Sequence, residues 1–88
     1  MEVSYAPSFV RQYKVLSDSL KAEIREKIQS FRDEANHATL DVHKLRGRLD
    51  EQYSFRVNYR IRIVLWYTKS KPREAILVAV GDHDVYDR

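Results

Sequence analysis

The stretch YSFRVNYRIRIVLWYT, residues 53–68, decides the fold. Apolar and polar residues alternate on either side of a turn near Asn58, which is the two-residue period of half-exposed β-strands. One face of the two predicted strands carries Tyr53, Phe55, Ile61, Ile63 and Leu65, and the other carries Arg56, Arg60, Arg62 and Trp66. The stretch therefore predicts a β-hairpin with one apolar face and one basic face.

Two further strands are predicted on either side of this hairpin in the sequence. A turn at KSKPRE, residues 69–74, leads into AILVAVG, residues 75–81, an apolar run short enough for a central strand. The hairpin and this run form a three-strand antiparallel meander. EVSY, residues 2–5, alternates and is typical of an N-terminal edge strand.

The segment between the edge strand and the hairpin has a helical period. Its apolar residues recur every three or four positions at Phe9, Tyr13, Leu16, Leu20, Ile24, Ile28, Phe31 and Ala35. This spacing predicts an amphipathic helix with one buried stripe. SDS at 17–19 favours helix caps over helix interiors, so we expect two helices, about 8–16 and 18–35.

The predicted fold class is α+β: an edge strand, a two-helix hairpin and a three-strand antiparallel meander, with the helices packed on one face of the sheet. At 88 residues, we expect a single domain, 1–88. Residues 33–52 lack a clean period and predict a surface connection. His37 and His43 lie in this stretch and are interpreted as solvated side chains without a role.

Positive charge is concentrated in the second half of the chain. The whole chain has a formal net charge of +3. From Lys44 to Arg73 there are nine Lys and Arg residues against Asp50 and Glu51, a local balance of +7. A basic segment of this kind indicates either a polyanionic partner, most commonly nucleic acid, or an ordinary solvated face.

Several functional classes are excluded by what the sequence lacks. Without cysteine there is no disulfide framework and no thiolate chemistry. Gly47 and Gly81 are too few for a phosphate-binding glycine loop, so no cofactor is expected. On a strand, Asp82 and Asp84 would point away from His83, so no metal is expected either. Neither a signal peptide nor a membrane span is predicted, and we expect a cytoplasmic protein.

The arginines of the hairpin and the last residues of the chain predict a phosphate site. Arg56 and Arg60 flank one turn, and guanidinium groups bind phosphate through paired hydrogen bonds. GDHDVY, residues 81–86, would bring His83 and Tyr86 to the rim of the sheet beside them. Metal-free RNA cleavage needs proton carriers and cations, and His83 and the arginines supply one carrier and the cations.

These residues resemble the RelE/ParE superfamily of toxins from toxin–antitoxin modules. HKLRGRLDEQYSFRVNYRIRIVLWY, residues 43–67, is similar to its K-L-x-G segment, its R-V strand and its Y-R-(I/L)-(V/I)-Y strand. VAVGDHDVY, residues 78–86, is similar to the closing V-x-V-G-x-(H/R)-x-x-(V/I)-Y. The resemblance spans nearly the whole chain and implies the same fold as the residue patterns do.

The resemblance to the RelE-like branch implies an endoribonuclease that cuts mRNA on the ribosome without a metal. By position, Arg60 would be the transition-state arginine, and Arg56, His83 and Tyr86 would complete the catalytic set. The predicted RNA phosphate contacts are Lys44, Arg46, Arg48 and Arg62. Ser54 stands where relatives carry a second basic residue, so the general base is unassigned.

The resemblance also implies a cognate antitoxin as a protein partner, in a toxin–antitoxin hetero-oligomer, besides the ribosome and mRNA. Two other functions stay open. One is a ParE-like inhibitor of DNA gyrase that does not cut RNA. The other is a degenerate toxin that acts only as an antitoxin-binding module, an alternative that rests on Ser54.

Overall fold

The sheet contains the strands that the sequence predicts and one more. The computed structural model describes residues 1–47 and 51–82. In these residues the strands are β1 (Val3–Tyr5), β2 (His43–Lys44), β3 (Tyr53–Arg56), β4 (Ile61–Tyr67) and β5 (Ala75–Asp82), in the sheet order β1-β5-β4-β3-β2. The strands β3, β4 and β5 form the predicted antiparallel meander. The strand β1 is the predicted edge strand, and it runs parallel to β5.

The two predicted helices are confirmed as α1 (Pro7–Lys14) and α2 (Asp18–Phe31). The break between them falls at Ser17, which has extended backbone and is the N-cap of α2. Its hydroxyl oxygen accepts a hydrogen bond from Leu20 N at 3.2 Å. Serine is favoured at this position because it satisfies an N–H that has no partner within the helix.

The second helix is shorter than predicted. It ends at Phe31 instead of 35, and a 3₁₀-helix, Glu34–Asn36, follows it. Asp33 between them is extended, and its Oδ1 accepts from Ala35 N at 3.0 Å. An aspartate that hydrogen-bonds to a nearby backbone N–H competes with continuation of the helix, which explains the early end.

The helices cover the apolar face of the sheet, which confirms the α+β prediction. Phe55, Ile63 and Leu65 of the hairpin are fully buried in one core with Ile24 and Phe31 of α2. Tyr53 and Ile61 are partly buried against the same core. The face predicted as apolar is therefore the one that packs on the helices, and the basic face lies on the other side of the sheet.

Two predictions for the connecting segment 33–52 are wrong. It contains the short strand β2, which pairs with β3 in the register His43–Ser54 and Lys44–Tyr53. His37 is half-buried, stacks on the Phe31 ring at a centroid distance of 4.5 Å, and has its Nε2 2.8 Å from Phe31 O. His37 is therefore a packing residue and not a solvated one.

Candidate phosphate-binding site

Two arginines face each other on the side of the sheet away from the helices. In the antiparallel register Arg56 of β3 lies directly opposite Arg62 of β4. Directly opposite residues share a face and have Cβ atoms about 4.5–5.5 Å apart. Like charges at directly opposite positions are unfavourable, and an anion bound between the two arginines would remove that repulsion.

The guanidinium of Arg62 is held against the hairpin turn. Its Nη1 donates to Asn58 O at 2.7 Å and to Ile61 O at 3.4 Å. A guanidinium carries five N–H donors, so the Nε and Nη2 groups supply three more donors for a ligand. Arg62 is thus both positioned by the protein and able to bind a phosphate through its fork.

The turn itself is built around the side chain of Asn58. Its Oδ1 accepts from the backbone N–H groups of Arg60 and Ile61, both at 2.9 Å, and its Nδ2 donates to Glu23 Oε1 of α2 at 2.9 Å. Asparagine favours turns because its side chain can hydrogen-bond to the backbone two residues on. The turn is therefore tied to the helix layer.

This turn corrects the predicted arginine pair. Val57 N donates to Ile61 O at 2.9 Å, so residues 58–60 form the loop and β4 begins after Arg60. Arg60 is exposed in the loop, and the residue opposite Arg56 is Arg62. The sequence pattern assigned both arginines to one face but could not fix the register, which depends on the length of the turn.

The surroundings of the arginine pair differ on its two sides. Gly81 of β5 lies opposite Arg62 and, having no side chain, places none beside it. On β3, Ser54 shares the face of Arg56 and is fully buried opposite Val64. The Ser54 hydroxyl has no hydrogen-bond partner within the described part of the chain.

A histidine that sequence reasoning set aside also lies on this face. His43 is exposed, as predicted, but its register with Ser54 places it on the side of the sheet that carries Arg56. Its Nδ1 is 2.8 Å from Asp41 O. A carbonyl oxygen only accepts, so Nδ1 carries the hydrogen and Nε2 of the neutral ring is a proton acceptor. The only sequence signal was its place at the start of the basic segment.

The remaining predicted phosphate contacts are dispersed. Lys44 lies opposite Tyr53, on the side of the sheet that the helices cover, and its Nζ is 3.3 Å from Glu51 Oε1. Arg46 is exposed in the turn before Gly47. Arg48, His83 and Tyr86 lie outside the described residues. Of the predicted site, the structure thus brings together Arg56 and Arg62, with Arg60 in the adjoining loop.

One ionisable group at the other end of the hairpin has a shifted pKa. Burial raises the pKa of Tyr67, and the nearby Arg73 cation partly opposes this effect. The Arg73 guanidinium carbon is 3.9 Å from the centroid of the Tyr67 ring. Residues 1–47 and 51–82 contain no group of three His, Asp or Glu side chains placed to hold a metal ion.

Solved structures share this arrangement of helices and strands. The archaeal RelE in a RelE-RelB complex from Pyrococcus horikoshii has a TM-score of 0.70 at 18% identity, covering 92% of each chain. The chain has the RelE fold. A chain of the toxin-antitoxin complex RelBE2 from Mycobacterium tuberculosis has the same TM-score at 17% identity, covering 93% of this chain and 96% of that one.

A third similar structure is the YoeB dimer from Staphylococcus aureus. Its TM-score is 0.68 at 24% identity, and the match covers 94% of this chain and 97% of that chain. The three matches to the RelE fold cover 92–94% of this chain and 92–97% of the other chains. No protein-family model matches the sequence, and no curated protein matches it. Within the described residues, none of the helices of this RelE fold is long and apolar enough to cross a membrane.

Proposed function

We propose that the protein is the toxin of a toxin–antitoxin module and a metal-independent endoribonuclease that cleaves mRNA on the ribosome. The observation that carries this proposal is the Arg56–Arg62 pair on the sheet face away from the helices, with His43 on the same face. The RelE fold and the concentration of positive charge in residues 44–73 support it. The proposed compartment is the cytoplasm, where mRNA and ribosomes are.

The proposed reaction begins with proton transfer from the RNA 2′-hydroxyl to His43 Nε2. The 2′-oxygen attacks the adjacent phosphorus and forms a 2′,3′-cyclic phosphate, while the bond from phosphorus to the 5′-oxygen breaks. The leaving 5′-oxygen takes its proton from His83, the donor that the sequence predicts. Histidine suits both roles because its ordinary pKa lies near neutrality.

The proposed role of the arginines is to stabilise the negative charge that builds up on the phosphorus oxygens. Arg56 and Arg62 approach the phosphate from neighbouring strands, and Arg60 in the loop adds a third cation. Fixed cations of this kind lower the barrier because they need no reorganisation during the reaction. Tyr86 is proposed to contact the substrate, and Arg46 and Arg48 to contact flanking phosphates.

His43 is the proposed general base in place of the basic residue that Ser54 replaces. Relatives of the RelE-like branch are expected to carry a basic residue at the position of Ser54, and here a fully buried hydroxyl occupies it. His43 lies directly across from Ser54 on the neighbouring strand. We propose that the general base has moved from β3 to β2 in this chain.

The proposed protein partner is a cognate antitoxin that holds the toxin inactive in a hetero-oligomer. Two of the similar solved structures are complexes, one described as RelE-RelB and the other as toxin-antitoxin. Co-expression with the product of a neighbouring gene, followed by purification through a tag on only one chain, tests this part of the proposal.

The activity is tested by mapping the 5′ ends of mRNA after brief induction. The wild type should arrest growth and cut translated mRNA, and Arg62→Ala should lower cleavage by about a hundredfold, the usual effect of removing one stabilising donor. Arg11→Ala is the control, because Arg11 is exposed on α1 in the helix layer. Cleavage by Arg62→Ala at the wild-type rate would contradict the arginine assignment.

The buried Ser54 also supports a second candidate, a degenerate toxin that binds an antitoxin without catalysis. In that case induction leaves mRNA intact and growth unaffected, while the antitoxin still binds. A gyrase inhibitor of the ParE type would instead cause DNA breaks with intact mRNA. The same induction experiment separates all three functions.

A further inference from the structure

A groove of about 860 Å³ lies at the end of the hairpin opposite to the turn. It crosses the ends of β3 and β4 and is lined by Glu51, Gln52, Tyr53, Trp66, Lys69 and Arg73, among others. Neither the arginine pair nor the turn contributes to this lining. The groove is therefore a separate feature of the molecule, and the proposed reaction does not use it.

Trp66 lines the groove and lies on the same face of the sheet as the arginine pair. It lies on β4 four residues after Arg62, and alternate residues of a strand share one face, so both are on the side away from the helices. At about 3.3 Å per residue, the two positions are about 13 Å apart. Trp66 is 43% exposed, although an indole ring gains from burial. Its position offers a flat aromatic surface to a ligand.

The charge of the groove favours an anion. Lys69 and Arg73 line it, and Glu51 is the one acidic residue among its described lining. The Glu51 carboxylate is paired with Lys44 at 3.3 Å, which offsets its negative charge. The Arg73 guanidinium is placed by its contact with the Tyr67 ring. The groove thus combines the Trp66 indole, on the side away from the helices, with two cations, of which Arg73 lies over Tyr67 on the helix side of the same strand end.

We propose that this groove binds a nucleotide of single-stranded RNA that flanks the phosphate held by Arg56 and Arg62. This inference rests on the proposed function and adds a second contact point for the same strand. The base stacks on Trp66, and the neighbouring phosphates lie near Lys69 and Arg73. Proteins that bind single-stranded RNA combine stacking platforms with basic grooves in this way. A peptide of Asp and Glu alone would engage the cations but would offer the indole no aromatic ring to stack on.

The sequence supplies its own reporter, because Trp66 is the only tryptophan of the chain. The first experiment titrates the protein with a hexanucleotide whose 2′-hydroxyls are methylated, so that it cannot be cleaved. We expect strong quenching of the tryptophan fluorescence. A mononucleotide at the same concentration should quench far less, because it cannot reach the arginine pair about 13 Å away.

The second experiment measures binding of the same hexanucleotide, with a fluorescein label, by anisotropy. Trp66→Ala should weaken binding by about tenfold, and Trp66→Phe should restore most of it because phenylalanine still stacks. Tyr5→Ala is the matched control, since Tyr5 is similarly exposed on the edge strand β1, and it should bind like the wild type. Circular dichroism establishes that each variant is folded.

Three results would overturn the proposal. The first is that millimolar hexanucleotide does not quench the tryptophan fluorescence. The second is that Trp66→Ala binds the hexanucleotide as tightly as the wild type does. The third is that an acidic peptide quenches the fluorescence and RNA does not. Mapping of mRNA ends after induction separates this inference from the proposed function. Cleavage without quenching would contradict only RNA binding in the groove. Quenching without cleavage would contradict only the proposed ribonuclease activity.

Discussion

Arg56 on β3 lies directly opposite Arg62 on β4, so the protein places two positive charges side by side on one face of its sheet. Like charges in this position lower stability, typically by about 0.2–1 kcal/mol. The RelE fold does not need the pair for packing, because the core lies on the other face. This arrangement predicts opposite effects of one substitution on stability and on activity.

Arg56→Gln should raise the free energy of unfolding by a few tenths of a kcal/mol, up to about 1 kcal/mol, because it removes the repulsion with Arg62. The same variant should cleave mRNA more slowly, since one of the cations at the phosphate is lost. Urea unfolding and mapping of mRNA ends measure the two effects. Arg11→Gln, in the exposed surface of α1, should change neither. A destabilised Arg56→Gln would mean that the arginine pair is not repulsive in the free protein.

His43→Gln should lower RNA cleavage by about a hundredfold, the usual contribution of a general base. The imidazole side chain is 46% exposed, so the free energy of unfolding should stay within about 0.5 kcal/mol of the wild type. The pH dependence of cleavage distinguishes a proton acceptor from a structural role, because its rise with pH should disappear in His43→Gln. His37→Gln is the comparison for stability: it should lower the free energy of unfolding, because it removes the ring that stacks on Phe31. An unchanged pH profile would exclude His43 as the base.

Ser54→Ala should raise the free energy of unfolding by about 1 kcal/mol, because the buried Ser54 hydroxyl has no hydrogen-bond partner among residues 1–47 and 51–82. Cleavage should be unchanged, since the proposed reaction does not use this hydroxyl. Ser8→Ala is the matched control: the Ser8 hydroxyl donates to Val78 O at 2.6 Å, so its loss should destabilise by about 1 kcal/mol. If Ser54→Ala is destabilised as much as Ser8→Ala, then the Ser54 hydroxyl does make a stabilising hydrogen bond, and the prediction is contradicted.

Asn58→Ala should destabilise the protein by roughly 1–3 kcal/mol, because three hydrogen bonds from one side chain are lost. Cleavage should also fall, since Arg62 is positioned by the Asn58 carbonyl in the same turn. Thermal unfolding gives the stability. Asn36→Ala, which loses only the hydrogen bond that Asn36 Nδ2 donates to Ser30 O, should be affected less. Equal stabilities of the two variants would show that the turn does not depend on the asparagine side chain.

The shifted tyrosine predicts a loss of stability in alkali. Burial raises the pKa of Tyr67 above the ordinary value of 10.0, so the folded protein holds this proton more tightly than the unfolded chain does. Its contribution to stability is therefore complete below about pH 10 and is lost as the pH rises through the pKa of the folded state. The free energy of unfolding should fall less steeply above about pH 10 in Tyr67→Phe than in the wild type. Identical slopes in Tyr67→Phe and the wild type would contradict the shift.

The local structure follows from the sequence. A two-residue period predicted the two strands of the hairpin, a short apolar run predicted β5, a period of three to four predicted the helices, and Ser17 marked the break between them. These signals are local because a strand or helix buries one face and its apolar residues must recur with its own geometry. For the same reason the sequence predicted which face of the hairpin packs on the helices and that Arg56, Arg62 and Trp66 share the other face.

Only the tertiary structure decided which residues meet on that face. The hydrogen bond from Val57 N to Ile61 O fixes the hairpin register, and it places Arg62 and not Arg60 opposite Arg56. The strand β2 is two residues long, too short to show a period, and it forms because the chain after Leu40 runs beside β3. That pairing brings His43 to the site. Such contacts join residues that are distant in the sequence and depend on turn length and backbone hydrogen bonds, which leave no periodic pattern in the residues themselves.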